Sequence, residues 1–239
     1  LLRNPQTMPA LRNTIIISAW KMALHLLVPV IVSILLNEIR SNAFRRISQT
    51  LIYLPHFLSW IILAGIMIDL LSPNGGLVNR FLGLFGAEPI FFLGSNKWFR
   101  FTLVFTDVWK EFGFGTIVYL AAITNIDPTQ YEAATIDGAN RFQRIMHVTL
   151  PNMRMIIVLM MVLSLGNVLN AGFDQVYNMY SEAVYPTGDI LDTFIYRLNF
   201  KNGLWGQSAA VSMFKSVVST LFISVHYLCA YKFADYRVF

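Results

Sequence analysis

The sequence predicts an all-α, polytopic membrane protein, and three observations carry that prediction. Of 239 residues, 56% are hydrophobic and only 13% are charged, with a mean hydropathy of +0.55. An average soluble domain carries about 25% charge, so this chain cannot clothe a water-facing surface in polar atoms. Five stretches are apolar over the roughly 20 residues that a helix needs to cross about 30 Å of hydrocarbon. None of the five shows the alternation of a membrane β-strand. Disorder is excluded by the same composition, since it requires low hydrophobicity and high net charge. The single cysteine, Cys229, excludes an intrachain disulfide and any site built from several thiolates. A scattered net charge of +5 suits a lipid bilayer and gives no reason to expect nucleic acid.

The expected spans run over residues 13–36, 49–71, 101–122, 151–172 and 208–231. The first contains one charge, Lys21, and the second ends near Asp69. The third holds Asp107, Lys110 and Glu111. The fourth has Arg154 at its start, and the fifth has Lys215. Between them, 37–48 is short and basic, with Arg40, Arg45 and Arg46. Ser72-Pro-Asn-Gly-Gly opens a turn, 124–150 is polar and Ala-rich, and 173–207 is long and aromatic. Basic residues divide almost evenly between the two sides. Only the density of the 37–48 loop favours its side as cytoplasmic.

The 124–150 loop settles the reading. Asp127-Pro128-Thr129-Gln130 predicts an N-cap, a proline at the first helical position and a capping-box glutamine. A short helix from about Pro128 to Asp137 should end at Gly138. A second helical stretch over 139–147 should lead to Pro151. Within the loop, Glu132, Ala133 and Ala134 are followed after three residues, the last of them Asp137, by Gly138, with Tyr131, Ala139 and Arg141 flanking the pattern. Nine residues later come Val148, Thr149, Leu150 and Pro151. This resembles the "EAA" loop of the membrane permeases of binding-protein-dependent ABC importers, with Val in place of Ile.

Further stretches look like the carbohydrate-uptake, maltose-permease-like branch. They are Asn13-Thr14, Leu35-Leu36-Asn37-Glu38, Tyr53-Leu54-Pro55-His56, Trp109-Lys110-Glu111-Phe112-Gly113, Phe173-Asp174-Gln175-Val176-Tyr177 and Asp192-Thr193-Phe194-Ile195-Tyr196-Arg197. The resemblance implies a type I importer permease fold in which the loop is a cytoplasmic coupling helix seated on an ATPase. It also implies a second homologous permease making a heterodimer, two cytoplasmic ATPase subunits, an extracytoplasmic solute-binding protein and an oligosaccharide or polysaccharide substrate. The chain itself would bind no cofactor, because ATP and Mg belong to the ATPases, and it has no phosphate-cradling Gly-Lys-Ser/Thr loop.

With the loop in the cytoplasm of a bacterial inner-membrane protein, counting spans places Leu1–Arg12 outside and Lys232–Phe239 inside. An outside N-terminus leads us to expect a further span upstream of Leu1.

Two polar constellations are candidates for the substrate pathway. Asp107, Lys110 and Glu111 share a helix face, with Trp109 beside them as a stacking surface. They could bond sugar hydroxyls, or Asp107 could pair with Lys110. Asn167, Asn170 and Asp174 would share a face if the fourth helix continues that far, with Gln175 next to them. They suit paired sugar hydroxyls or interhelical hydrogen bonds. A permease for another small solute, or an intramembrane enzyme using Asp107 and Glu111, is the alternative. His25, His56, His147 and His226 are too far apart for a metal motif.

Overall fold

The computed structural model describes residues 5–234, the side chains of residue 165 and of residues 225–234 excepted. Arg3, the tail beyond residue 234 and the Cys229 and His226 side chains therefore lie outside the described residues. Every described element is helical. Helix α1 (Thr7–Asn37) contains the first expected span and runs unbroken through Pro29. Helix α2 (Asn42–Tyr53) starts on Ser41, whose hydroxyl accepts the Phe44 N–H.

The second expected span, 49–71, is not one continuous helix. A 3₁₀ turn over Leu54–Phe57 follows α2, and α3 (Trp60–Leu70) begins afresh on the Ser59 hydroxyl. Pro55 explains the break, because it offers no N–H to the ladder and its ring crowds the preceding turn. Ser59 then supplies a new cap.

After α4 (Leu77–Gly83), helix α5 (Phe99–Thr124) contains the third expected span. The 124–150 loop gives α6 (Pro128–Ile136) and α7 (Arg141–Arg144). A π turn over Ile145–Thr149 joins α7 to α8 (Leu150–Leu165). The fourth span therefore starts at Arg141, ten residues before Pro151, and its helix stops at Leu165 instead of reaching 172. In an ordinary α-helix the Pro151 ring would strike the carbonyl four residues back. The wide turn, with the Leu150 N–H reaching the Ile145 carbonyl, relieves that clash. Beyond it lie α9 (Phe173–Met179), α10 (Tyr185–Gly188), α11 (Leu191–Tyr196) and α12 (Trp205–Ala234), the last containing the fifth expected span.

Among the described residues, Thr7–Asn37 and Arg141–Ser164 are long and apolar enough to cross a membrane. The α2–α3 pair adds a third if it counts as one broken span. Helix α5 is about 39 Å long by its 26 residues, ample for a crossing. Its three central charges lower its apolarity.

The chain forms two compact units, each gathered from separated segments. In the first (Leu1–Met22, Leu58–Asp107, Gly166–Val225), Ala10, Leu191, Phe194, Leu198 and Val211 form a buried cluster. The Asn13 side chain, itself buried, donates to the Asp189 carbonyl at 3.0 Å and accepts from Arg100 at 2.6 Å. Arg197 closes this region with a 2.5 Å ion pair to Asp189 and lies over the Tyr185 ring. In the second unit (Ala23–Phe57, Val108–Leu165, His226–Phe239), Val30, Tyr119, Ile123 and Met153 pack together. There a Cβ on Gly113 would lie 1.9 Å from the Ile52 carbonyl oxygen, so backbone meets backbone and only glycine fits. Gly113 is thus a helix-packing position.

Candidate functional site: a rigid loop and a polar turn

The loop between α5 and α8 is built as two short helices with a defined corner. The Asp127 carboxylate accepts the Thr129 N–H at 2.9 Å and caps α6. Donation from Thr129, first from its backbone N–H and then from its hydroxyl, holds the Asp127 carboxyl below the usual carboxylate range. Gln130 does not form the expected capping box. Its side-chain amide oxygen instead accepts from the Asn152 amide at 2.8 Å, a partner that comes within reach because α8 begins beside it. The capping box sits at the next helix, where Asn140 and Gln143 exchange bonds of 2.9 and 2.8 Å.

The corner is a Schellman stop. Gly138 has φ +77°, its N–H meets the Thr135 carbonyl, and the Ala139 N–H meets the Ala134 carbonyl at 2.9 Å. Three contacts hold α6 down on one side. Tyr131 bonds Thr149 at 3.0 Å, Gln130 bonds Asn152, and Thr135 accepts from Arg144 at 3.3 Å. The opposite side is uncovered. Glu132, Ala133 and Ile136 are exposed, Ile136 by 86%, and no residue of α6 is buried. Glu132 pairs with no cation among the described residues. Asp137 is the C-cap, and Arg141 opens α7 toward solvent. The loop is thus fixed to its own chain by one face of α6, and the other face is exposed.

The polar candidates of the first unit fall into two groups. Asp107 is buried and meets Lys21 at 3.1 Å. Lys21 also donates to the Ala171 carbonyl at 2.8 Å and to the Gln175 amide oxygen at 2.5 Å. Gln175 is fully buried and passes its own N–H groups to the Leu103 carbonyl and the Thr106 hydroxyl, both at 2.8 Å. Gly172, at φ +88°, lets the backbone come close to Lys21, since a Cβ there would stand 3.0 Å from the ammonium. Sequence reasoning missed Lys21 as the partner of Asp107. The only signal was that Lys21 is a solitary charge inside an apolar helix and so needs an acidic partner elsewhere in the chain.

Asn167, Asn170 and Asp174 do not share a helix face, because α8 ends at Leu165 and α9 begins at Phe173. Asn167 and Asn170 stand exposed on the intervening turn, where the Asn170 N–H meets the Asn167 carbonyl at 2.8 Å. Asp174 is exposed in the first turn of α9. Asn170 accepts from the Gly172 N–H, the local bond that favours asparagine in turns. In the second unit, Glu111 bonds His56 at 2.7 Å and Lys110 at 2.6 Å, and Lys110 also donates to the His56 carbonyl. His56 stacks on Phe114 at 4.1 Å. Trp109 is partly exposed.

The profile of the family "binding-protein-dependent transport system inner membrane component" matches residues 25–236. The chain belongs to that family. It is a transport permease rather than an enzyme. Across its whole length it is 38% identical to the polygalacturonan/rhamnogalacturonan transport system permease protein YteP of Bacillus subtilis (strain 168), covering 74% of that protein. Over 92% of its length it is 40% identical to protein LplB of the same organism, covering 69% of it. The crystal structure of a bacterial ABC transporter involved in the import of the acidic polysaccharide alginate superposes with a TM-score of 0.92 at 35% identity. That match covers 98% of this chain and 82% of the other. A second structure of an alginate ABC transporter, in complex with an alginate pentasaccharide-bound periplasmic protein, gives a TM-score of 0.91.

Proposed function

We propose that this permease is one membrane subunit of an ATP-driven inner-membrane importer for oligosaccharides, and that its cargo is the acidic class. The exposed, Schellman-stopped face of α6 carries the first half of the reading. A lever braced against α8, with Glu132 and Ile136 uncovered, suits seating in a cytoplasmic ATPase. The names of the similar proteins, polygalacturonan/rhamnogalacturonan and alginate, support an acidic sugar.

A soluble extracytoplasmic protein would deliver the sugar to a heterodimer of this chain and a homologous permease. Two ATPase subunits would drive the cycle by pulling on the coupling helix, and ATP and Mg would be bound there. Asn167, Asn170 and Asp174 would meet the sugar through hydroxyl-matched amide and carboxylate groups. Trp109 offers a ring nearby in sequence to Asp107, whose role is to hold the buried cluster.

Reconstitution of the complete importer with a binding protein tests the substrate. ATP hydrolysis and uptake should rise with oligogalacturonate-loaded binding protein. Alanine at Asn167, Asn170 or Asp174 should lower uptake while basal hydrolysis survives. Equal stimulation by an amino acid and none by sugar would replace the substrate class.

The same reading fixes an orientation, and labelling checks it. In a Cys229→Ser background, a cysteine at Gln6 should react with an impermeant reagent from outside, and one at Ser41 from inside. Both positions are exposed. Reaction of Gln6→Cys only from the cytoplasm would overturn the topology and, with it, the coupling assignment.

A further inference from the structure

A cavity of about 330 Å³ in the second unit lies against the coupling loop, lined by Asn37, Glu38, Arg40, Tyr131, Arg141 and Arg144 among others. Three guanidiniums and one carboxylate line it, and none of the three arginines has a carboxylate within ion-pair distance among the described residues. Its place along the chain is as informative as its charge. The apolar helix Thr7–Asn37 ends at the cavity, and the apolar helix Arg141–Ser164 begins at it. Two helices that are each long and apolar enough to cross the hydrocarbon have their ends at the same wall, which suits headgroup depth.

Leading away from the cavity along α1, Leu35, Ile31 and Leu27 repeat every four residues and are 61%, 46% and 54% exposed. Their spacing sets them on one helix face as an apolar track along which an acyl chain can lie.

We propose that this cavity binds the phosphate headgroup of an anionic phospholipid, with Arg40 and Arg141 as its principal donors and the Leu27–Ile31–Leu35 track under one acyl chain. Guanidinium matches phosphate in a two-pronged geometry that lysine cannot reproduce. Basic pockets between membrane helices are favoured places for such headgroups. Through Tyr131, which lines the cavity and bonds Thr149, the lipid touches the helix that carries Glu132. Headgroup occupancy therefore stiffens the lever's root.

The test uses the assembled importer, purified and placed in nanodiscs of phosphatidylcholine with or without phosphatidylglycerol. Native mass spectrometry counts retained phosphatidylglycerol, and titration gives its affinity. The wild type should hold the lipid, and Arg40→Gln/Arg141→Gln should bind it about thirtyfold more weakly, the attraction of two cations at the headgroup. Both side chains are exposed, so the variant should assemble. Arg40→Lys/Arg141→Lys, which keeps the charge without the fork, should fall in between.

Inorganic phosphate is added in the phosphatidylcholine arm. Saturable binding of phosphate as tight as that of the lipid would mean a free-anion site and overturn the proposal. Unchanged lipid retention in the Gln variant would overturn it as well. So would loss of the ATPase subunits with lipid retention intact, because the cavity would then be a protein contact.

Discussion

Lys21→Met is expected to destabilise the permease by about 3–5 kcal/mol, the range for removing one partner of a buried ion pair. Lys21 and Asp107 are only 6% and 8% exposed, so water cannot replace the lost partner. The substitution would leave Asp107 short of its Lys21 cation at 3.1 Å. It would also strip a donor from the Ala171 carbonyl and from the buried Gln175 amide. The abandoned acceptors, each worth about 1–3 kcal/mol of desolvation, are part of that loss. Asp107→Asn in the same background should recover part of the loss, because the charge goes while the shape stays. Thermal unfolding of the detergent-solubilised complex, read as a double-mutant cycle, measures the coupling. A cycle that closes with no coupling, or a Lys21→Met protein as stable as the wild type, would mean the pair carries no stability. Gly172→Ala reaches the same cluster without touching charge. It places a Cβ 3.0 Å from the ammonium at a φ of +88°, so it should destabilise in the same direction by a smaller amount.

The helical class, the membrane setting and the coupling loop were legible in the sequence because each rests on local signals. Composition reports the solvent that a chain expects. The corner at Gly138 is written in a glycine placed after a capped, Ala-rich turn, and nothing distant alters it.

Breaks inside apolar stretches were harder to read. Pro55 and Ser59 are ordinary stop and start signals, but a hydrophobicity window averages over them, so 49–71 reads as one span. Pro151 misled in the opposite sense. It looks like a helix start, yet a π turn gives its ring room and the helix begins at Arg141. Partners far apart in the chain were the least legible. Asp107 sits three residues from Lys110, and i,i+3 spacing drew attention to that neighbour. The partner at 3.1 Å is Lys21, 86 residues away, and periodicity within one helix carries no information about it. Gln175 shows the same limit. It lies beside the exposed Asp174 in sequence, but its side chain turns inward to Leu103 and Thr106.

The second large effect is expected at the coupling loop, where two substitutions separate contact from conformation. Glu132→Ala removes an exposed charge that has no described partner in its own chain, so the permease should fold normally. What should fall is ATP hydrolysis stimulated by loaded binding protein, along with retention of the ATPase subunits on dilution. Gly138 is different, because a Cβ there meets nothing within 4 Å and the requirement comes only from its φ of +77°. A β-branched residue in the left-handed region is strained by about 1–2 kcal/mol or more, whereas asparagine visits it readily. Gly138→Val should therefore unseat the Ala134–Ala139 and Thr135–Gly138 bonds and abolish stimulation, while Gly138→Asn should keep most of it. If both variants lose stimulation, the glycine is needed because the ATPase approaches its bare Cα, and the space seen there is where the partner sits. Full stimulation in Gly138→Val and in Glu132→Ala together would remove the loop from energy coupling, since neither its corner nor its exposed charge would then matter to the ATPase.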